Sequence, residues 1–252
     1  MSDTDVLTDF YDKDAERFWD PRQGIVGRDV SIYPLLAGMS GRVLEYGAGS
    51  GSLLLALALE PRFTSVVGVD ISQRAIEKIR KYWEEMSDTR GLAREKLAVL
   101  TPVNDRLPGI PDNSVDLLLS LDTIEHVMDP YVVLDELYRI AAPGAHFVIS
   151  VPNYGYIKYV IQLLLGRQPI TGGGQPVDKW RHSGWDGWHL HTFTRQSLGA
   201  LLNDTGWEPL RWTGYRENYT GFGLGYLSRT YPALWSGALT VVSRKKDGPP
   251  RS

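Results

Sequence analysis

The chain has no cysteine among its 252 residues. Disulfides, thiolate zinc sites and iron–sulfur clusters are excluded, and nothing favours oxidising export. A basic excess is missing as well: 27 lysines and arginines stand against 30 aspartates and glutamates, a formal net charge of −3. No cationic run is long enough to track a phosphate backbone, which argues against nucleic acid as a partner. Long apolar runs are also absent. The nearest, Tyr156 to Leu165, contains Lys158 and Gln162 and falls short of the roughly 20 residues that span a bilayer, so no membrane partner is expected. The opening MSDTDVLTDFYDKD is acidic and polar rather than basic then apolar. No export signal is expected from it, and the expected setting is the cytoplasm.

What is present is an alternation of strand-like and helix-like segments from Val43 to Val151, the mark of βαβ units and a parallel sheet. Strands are predicted near 42–46, 66–70, 96–100, 115–120 and 145–151, with helices near 52–60, 73–86 and 130–140. Ser72 is placed to cap the second of these helices, and Ala75, Ile76, Ile79 and Tyr82-Trp83 recur at helical spacing. Residues 152–192 hold glycines, prolines and tryptophans without a sustained period, as a lid or substrate-facing insertion would. Pattern returns with a helix near 194–204, opened by Thr194, and strands near 207–213 and 237–244. The length suits one domain: a helical cover over 1–40, a core over 41–151, the insertion, the end of the sheet over 193–244, and a polar tail over 245–252.

The most informative stretch is Arg42-Val-Leu-Glu-Tyr-Gly-Ala-Gly-Ser-Gly51, followed downstream by Val66-Val-Gly-Val-Asp70. Gly47, Gly49 and Gly51 let the backbone approach a ligand, and Asp70 ends the next apolar run where an α/β sheet sets a carboxylate against ribose hydroxyls. A dinucleotide fingerprint would need glycine where Ser52 stands, which disfavours a nicotinamide-dependent oxidoreductase. A phosphate-cradling loop would need Gly-Lys-Ser/Thr, and Ser52-Leu53 follows Gly51 instead.

The run from Glu45 to Gly51 resembles motif I of the class I S-adenosylmethionine-dependent methyltransferases. Two further stretches resemble the same family: Leu107-Pro-Gly-Ile-Pro-Asp-Asn-Ser-Val-Asp116, with one extra residue, and Leu121-Asp-Thr-Ile-Glu-His-Val-Met-Asp-Pro130. A small-molecule subgroup is resembled at Val151-Pro-Asn-Tyr, Gln162-Leu-Leu-Leu-Gly-Arg167 and Asp186-Gly-Trp-His-Leu-His-Thr-Phe-Thr194, and by the opening Phe10 to Trp19. The resemblance implies a doubly wound α/β fold, with seven mostly parallel strands, an antiparallel last strand and a lid after the fifth. It also implies S-adenosylmethionine as cofactor, S-adenosylhomocysteine as product, and a small-molecule acceptor of quinone, sugar or secondary-metabolite type. O-methylation is the leading expectation. N-methylation is the alternative, and a non-catalytic S-adenosylmethionine-binding module is a reading of another class. A monomer or homodimer is expected.

Carried over residue by residue, the resemblance implies cofactor contacts at Glu45, Gly47, Ala48, Gly49, Gly51, Asp70, Ile71, Leu121, Asp122 and Tyr11. Glu45 would hold the ammonium, and either Asn104 or Asp105 would read the adenine amino group. Position alone offers Arg28 and Tyr33 to the cofactor carboxylate, while Asp112-Asn-Ser reads as a plain turn. His126 and His189 are the candidate bases, with His182 and His191 off the pattern; each of the first two has a plain alternative as a loop-shaping or lid-tying group. Trp19, Trp180, Arg181, Trp185 and Trp188 are offered to the acceptor, with at least one indole of the insertion expected to form a small core instead. No carboxylate cluster suggests a metal.

Overall fold

The computed structural model describes residues 3–172, 176–215 and 224–247. Its seven strands are β1 (Gly41–Tyr46), β2 (Phe63–Val69), β3 (Leu97–Leu100), β4 (Val115–Leu121), β5 (Ala141–Pro152), β6 (Trp207–Tyr215) and β7 (Ala238–Lys245). They form one sheet in the order β3-β2-β1-β4-β5-β7-β6. β2 runs parallel to both β1 and β3, whereas β7 runs antiparallel to both β5 and β6. The expected α/β class, parallel core and antiparallel last strand are all observed.

Two compact units divide the chain, one of residues 1–119 with 139–145, the other of 120–138 with 146–252. The first carries α1 (Asp3–Phe18), α2 (Arg28–Ile32), α3 (Ser52–Ala58) and α4 (Gln73–Arg90). β2 is covered on both faces, Val66 being buried on one and Val69 on the other, while Thr64 near its start is exposed. α4 turns Ala75, Ile76, Ile79 and Trp83 inward at helical spacing, and Ser72 caps it by accepting from Ala75 N at 3.1 Å. The second half of α1 is held to the start of α4. Asp12 accepts from Ser72 Oγ at 2.7 Å and from Arg74 N at 3.1 Å, and Lys78 Nζ donates to the carbonyls of Ala15 and Trp19 at 2.6 and 3.1 Å. These contacts fix the chain from Asp12, next to Tyr11, to Trp19.

The second unit contains α6 (Ile157–Leu164), α7 (Trp180–Ser183), α8 (Arg195–Asp204), α9 (Leu224–Thr230) and α10 (Pro232–Trp235); α5 (Pro130–Ile140) crosses the boundary. Asp129 accepts from Tyr131 N at 2.8 Å, and Pro130 opens α5 where its missing N–H costs nothing. Thr194 and Ser197 form a reciprocal capping box on α8, as the sequence predicted for its start. Trp207 is fully buried with Phe147 and Tyr138 at ring-centroid distances of 4.8 and 5.9 Å. The region expected to lack regular structure does contain a helix: α6 forms at Ile157–Leu164, where Ile157, Val160, Ile161 and Leu164 recur at helical spacing although none of its side chains is fully buried. α9 and α10 were also not anticipated. Among the described residues no helix is long and apolar enough to cross a membrane. The expected tail begins later than predicted, since β7 reaches Lys245, and its last residues, 248–252, lie outside the described residues.

Asn153 of the Pro-Asn pair has a structural job. Its fully buried side chain donates to the carbonyls of Pro232, Ala233 and Ser236 at 3.0, 3.1 and 2.8 Å, and accepts from Gly155 N at 3.0 Å. Asn153→Ala leaves these buried groups without partners, and a loss of about 2–3 kcal/mol is expected in urea unfolding; an unchanged midpoint would show that the amide does not hold this segment.

Candidate active site

In the first unit the site grows from the carboxyl end of β1. Gly47 N and Ala48 N donate to Val69 O at 2.8 and 3.0 Å, so the turn leaving β1 is tied to the end of β2. Asp70 completes the tie, one carboxylate oxygen accepting from Gly49 N at 2.8 Å and the other from Ser72 N at 2.9 Å. Burial pushes Asp70 up to about 6, while the backbone N–H groups of Ser72, Gly49 and Ile71 pull it down. It is therefore mostly ionised near neutrality.

The glycines of the turn have different reasons. Gly49 has φ +54, and a Cβ there would meet nothing within 4 Å. Gly51 has φ +74, and a Cβ would strike Ile79 Cγ1 at 2.5 Å. Gly49 thus borders open space, whereas Gly51 is also required by the packing of α4.

Glu45 is 1% exposed, and its Oε2 has no hydrogen-bond partner among the described residues. Burial, then nearby Asp29, pushes its carboxyl up to about 8 against the pull of Arg28. Arg28 itself lies 3.1 Å from Asp29. Tyr33 is placed otherwise than expected: its hydroxyl donates to Glu60. Tyr11 and Trp19 stack with ring centroids 6.2 Å apart. After β3, Val103 and Arg106 pair across Asn104 and Asp105, both at positive φ, as in a tight hairpin turn. Asp105 accepts from Tyr46 Oη at 2.9 Å and is half-buried, whereas Asn104 is exposed. The Asp112-Asn-Ser stretch is the turn it was read as, with Arg139 donating to Asp112 and to the carbonyls of Ile110 and Leu107.

In the second unit the Glu-His motif forms a short turn, Ile124–His126, after β4. Its Glu125 carbonyl accepts from Leu190 N and His191 N at 2.8 and 3.0 Å, which brings together two motifs more than 60 residues apart. His126 and His189 meet edge to face, ring centroids 4.7 Å apart. His126 Nδ1 lies 3.0 Å from Trp188 O, and a carbonyl only accepts, so this nitrogen carries the proton. Burial and neighbouring His189 press His126 down to about 4, so it stays neutral. His191 Nε2 is 2.9 Å from Val127 O and serves the loop. His182 lies outside the described side chains.

Asp122 takes φ 50 and accepts from Ser150 Oγ at 3.2 Å and from Tyr215 Oη, a contact no motif indicated. Leu121 is buried beside it. Among the indoles, Trp180 is buried and packs edge to face on Trp185 at 5.1 Å; it is the core-forming one. Trp185 is 70% exposed, Trp188 half-buried and Arg181 exposed. Where the sequence offered no metal ligands, Glu125, His126 and His189 each bring one donor atom within 4.8 Å of one another, close enough to share a cation.

A sequence profile of the methyltransferase domain matches residues 13–211, from α1 into β6. The chain belongs to the methyltransferase domain family. It is an enzyme of that class, with S-adenosylmethionine as its cofactor. A ubiquinone biosynthesis O-methyltransferase of Alkalilimnicola ehrlichii is 30% identical over 163 residues, 61% of this chain and 62% of that protein. The like-named protein of Pseudomonas paraeruginosa is 28% identical over 205 residues, 77% of this chain and 79% of that one. Among solved structures, the [4+2]-cyclase SpnF has a TM-score of 0.63 at 16% identity and covers 97% of each chain. The Haloferax volcanii putative methyltransferase complexed with the Trm112 activator has a TM-score of 0.60 at 19% identity, covering 98% of this chain and 99% of that one. At such identities the likeness is one of fold.

The residues of the first unit fit the cofactor. A buried carboxylate with an oxygen left without a partner suits an ammonium, and the open side of Gly49 leaves room for a ligand against the backbone.

The buried Glu45 has a consequence for stability. The unfolded chain loses this proton near 4.5 and the folded one near 8. The folded state binds the extra proton between those values, so its contribution is full below 4.5 and is lost as pH rises to 8, with a slope of up to about 1.4 kcal/mol per pH unit. Glu45→Gln is expected to flatten this dependence and to exceed the wild type in urea midpoint at pH 8. Parallel profiles for the two proteins would show that Glu45 ionises freely in the fold.

Proposed function

We propose that this chain transfers a methyl group from S-adenosylmethionine to a hydroxyl oxygen of a small molecule, a quinol-type ring being the acceptor class, in the cytoplasm. The paired imidazoles of His126 and His189 carry this reading. A phenolic hydroxyl ionises near pH 10 and is a weak nucleophile until a base takes its proton, whereas a neutral amine or a carboxylate needs no such help. The ubiquinone biosynthesis O-methyltransferases among the relatives support the same acceptor class.

When bound, the cofactor supplies an electrophilic methyl carbon on a sulfonium leaving group. The chain's own residues do the rest. Glu45 holds the ammonium and Asp70 the ribose hydroxyls, while the backbone from Gly47 to Gly49 lies against the nucleoside and Asp105 or Asn104 reads the adenine. His189 takes the hydroxyl proton as the oxygen gains the methyl, and His126, neutral because it is buried, leaves that proton to its neighbour. Aligning oxygen and methyl carbon away from water provides the larger part of the acceleration, about 7–11 kcal/mol in favourable cases.

Two substitutions separate binding from proton removal. Gly49→Val extends a side chain into the space that the glycine leaves open, and is expected to abolish S-adenosylhomocysteine binding by calorimetry; unchanged affinity would remove the turn from the pocket. His189→Ala is expected to lower kcat by about 10²- to 10⁴-fold on a catechol acceptor, with S-adenosylhomocysteine affinity retained. Full turnover in both His189→Ala and His126→Ala, or a preference for amine acceptors over catechols, would overturn the O-methylation reading.

A further inference from the structure

Thr171 stands in irregular chain after α6, in no motif, and is 7% exposed. Its Oγ1 donates to Asp186 Oδ2 at 2.5 Å and lies 2.7 Å from His189 Nδ1. The other oxygen of Asp186 accepts from the backbone N–H groups of Thr171 and Gly172 at 2.9 and 3.0 Å. Asp186 is 4% exposed and holds φ 46 and ψ 41, a left-handed conformation that an aspartate adopts when local hydrogen bonds hold it there.

Counting protons decides the arrangement. A carboxylate that receives two backbone N–H groups acts as an acceptor, so the single hydroxyl proton of Thr171 goes to Asp186. The proton between Thr171 and His189 must then come from the imidazole. His189 is therefore protonated on Nδ1, and its basic lone pair is on Nε2. An ordinary Asp–His contact would orient the ring directly, but here the nearest approach of His189 Nδ1 to Asp186 is 3.9 Å and the hydroxyl stands between them.

We propose that Thr171 and Asp186 are positioning residues, which fix the tautomer and orientation of His189 and pass the pull of the Asp186 carboxylate to the imidazole through the Thr171 hydroxyl. This rests on the reading of His189 as the base. The same bonds in a merely structural tie would fix the tautomer but leave turnover unmoved when it changes, so tautomer and kcat are measured together.

The experiment is nitrogen-15 NMR of the full chain labelled at its five histidines, alongside steady-state kinetics with a catechol acceptor. The wild type is expected to show His189 as the Nδ1–H form. Asp186→Asn is the sharpest variant. Its amide nitrogen would donate to Thr171 Oγ1, the hydroxyl would turn its proton to His189, and the tautomer would reverse to Nε2–H with little change of shape. Thr171→Val should also lose the Nδ1–H form, and Thr171→Ser should keep it. The kinetics should follow the spectra, with kcat down at least about tenfold in Asp186→Asn and Thr171→Val, the KM for the methyl donor within twofold, and Thr171→Ser close to wild type. Nε2–H in the wild type, or an unmoved tautomer in Asp186→Asn, overturns the proposal even where His189→Ala is inactive. Full turnover in His189→Ala overturns the base reading beneath it, whatever the spectra show.

Discussion

The first unit depends on one carboxylate. Asp70 sits where β2 ends, and its two oxygens accept N–H groups from opposite directions, Gly49 from the turn after β1 and Ser72 from the start of α4. A single side chain thus joins two strand ends and the first turn of a helix. Ser72 extends the connection by capping α4 and donating to Asp12 of α1. Removing the carboxylate would leave two backbone donors without partners in a nearly buried place, so the geometry of the turn rests on this group.

Three buried titratable groups show how the number of available partners sets charge. Asp70 has backbone donors on both oxygens and stays within reach of ionisation at neutral pH, moved only to about 6. Glu45 is equally buried, but one of its oxygens has no donor and Asp29 lies nearby, so it rises to about 8. His126 loses a charge rather than gaining one, because burial penalises the imidazolium and His189 adds to the penalty. The first group is finished by the fold, whereas the second is left for a ligand to complete.

How much of this was legible depended on how local each signal was. The glycine turn, Asp70 and the Ser72 cap lie within about 25 residues and depend on backbone conformation, which residue type reports directly. The Glu125-His126 and His189 motifs were visible singly, yet the turn that docks them, through Leu190 and His191 on the Glu125 carbonyl, uses main-chain atoms that carry no sequence signature. Thr171 and Tyr215 were invisible for a similar reason: each reaches its aspartate across 15 or more residues, with an ordinary side chain in an unpatterned stretch. α6 was within reach of the sequence, since Ile157, Val160, Ile161 and Leu164 keep helical spacing, but only over eight residues between Gly155 and Gly166.

The fold alone does not choose the reaction. A structure of the same architecture is described as a [4+2]-cyclase, so the sheet order and glycine turn are compatible with chemistry other than methyl transfer to oxygen. What separates the possibilities is the protonation state of the second unit. His126 gives its Nδ1 proton to a carbonyl and is held neutral, while His189 Nδ1 lies against a hydroxyl backed by a carboxylate. Burial opposes the charged form at His126, and neighbouring His189 adds to that opposition. On the reading proposed above, His189, the imidazole with the acidic support, is the one that takes the proton a hydroxyl loses as its oxygen is methylated. A cyclisation that exchanges only carbon–carbon bonds gives that asymmetry nothing to do.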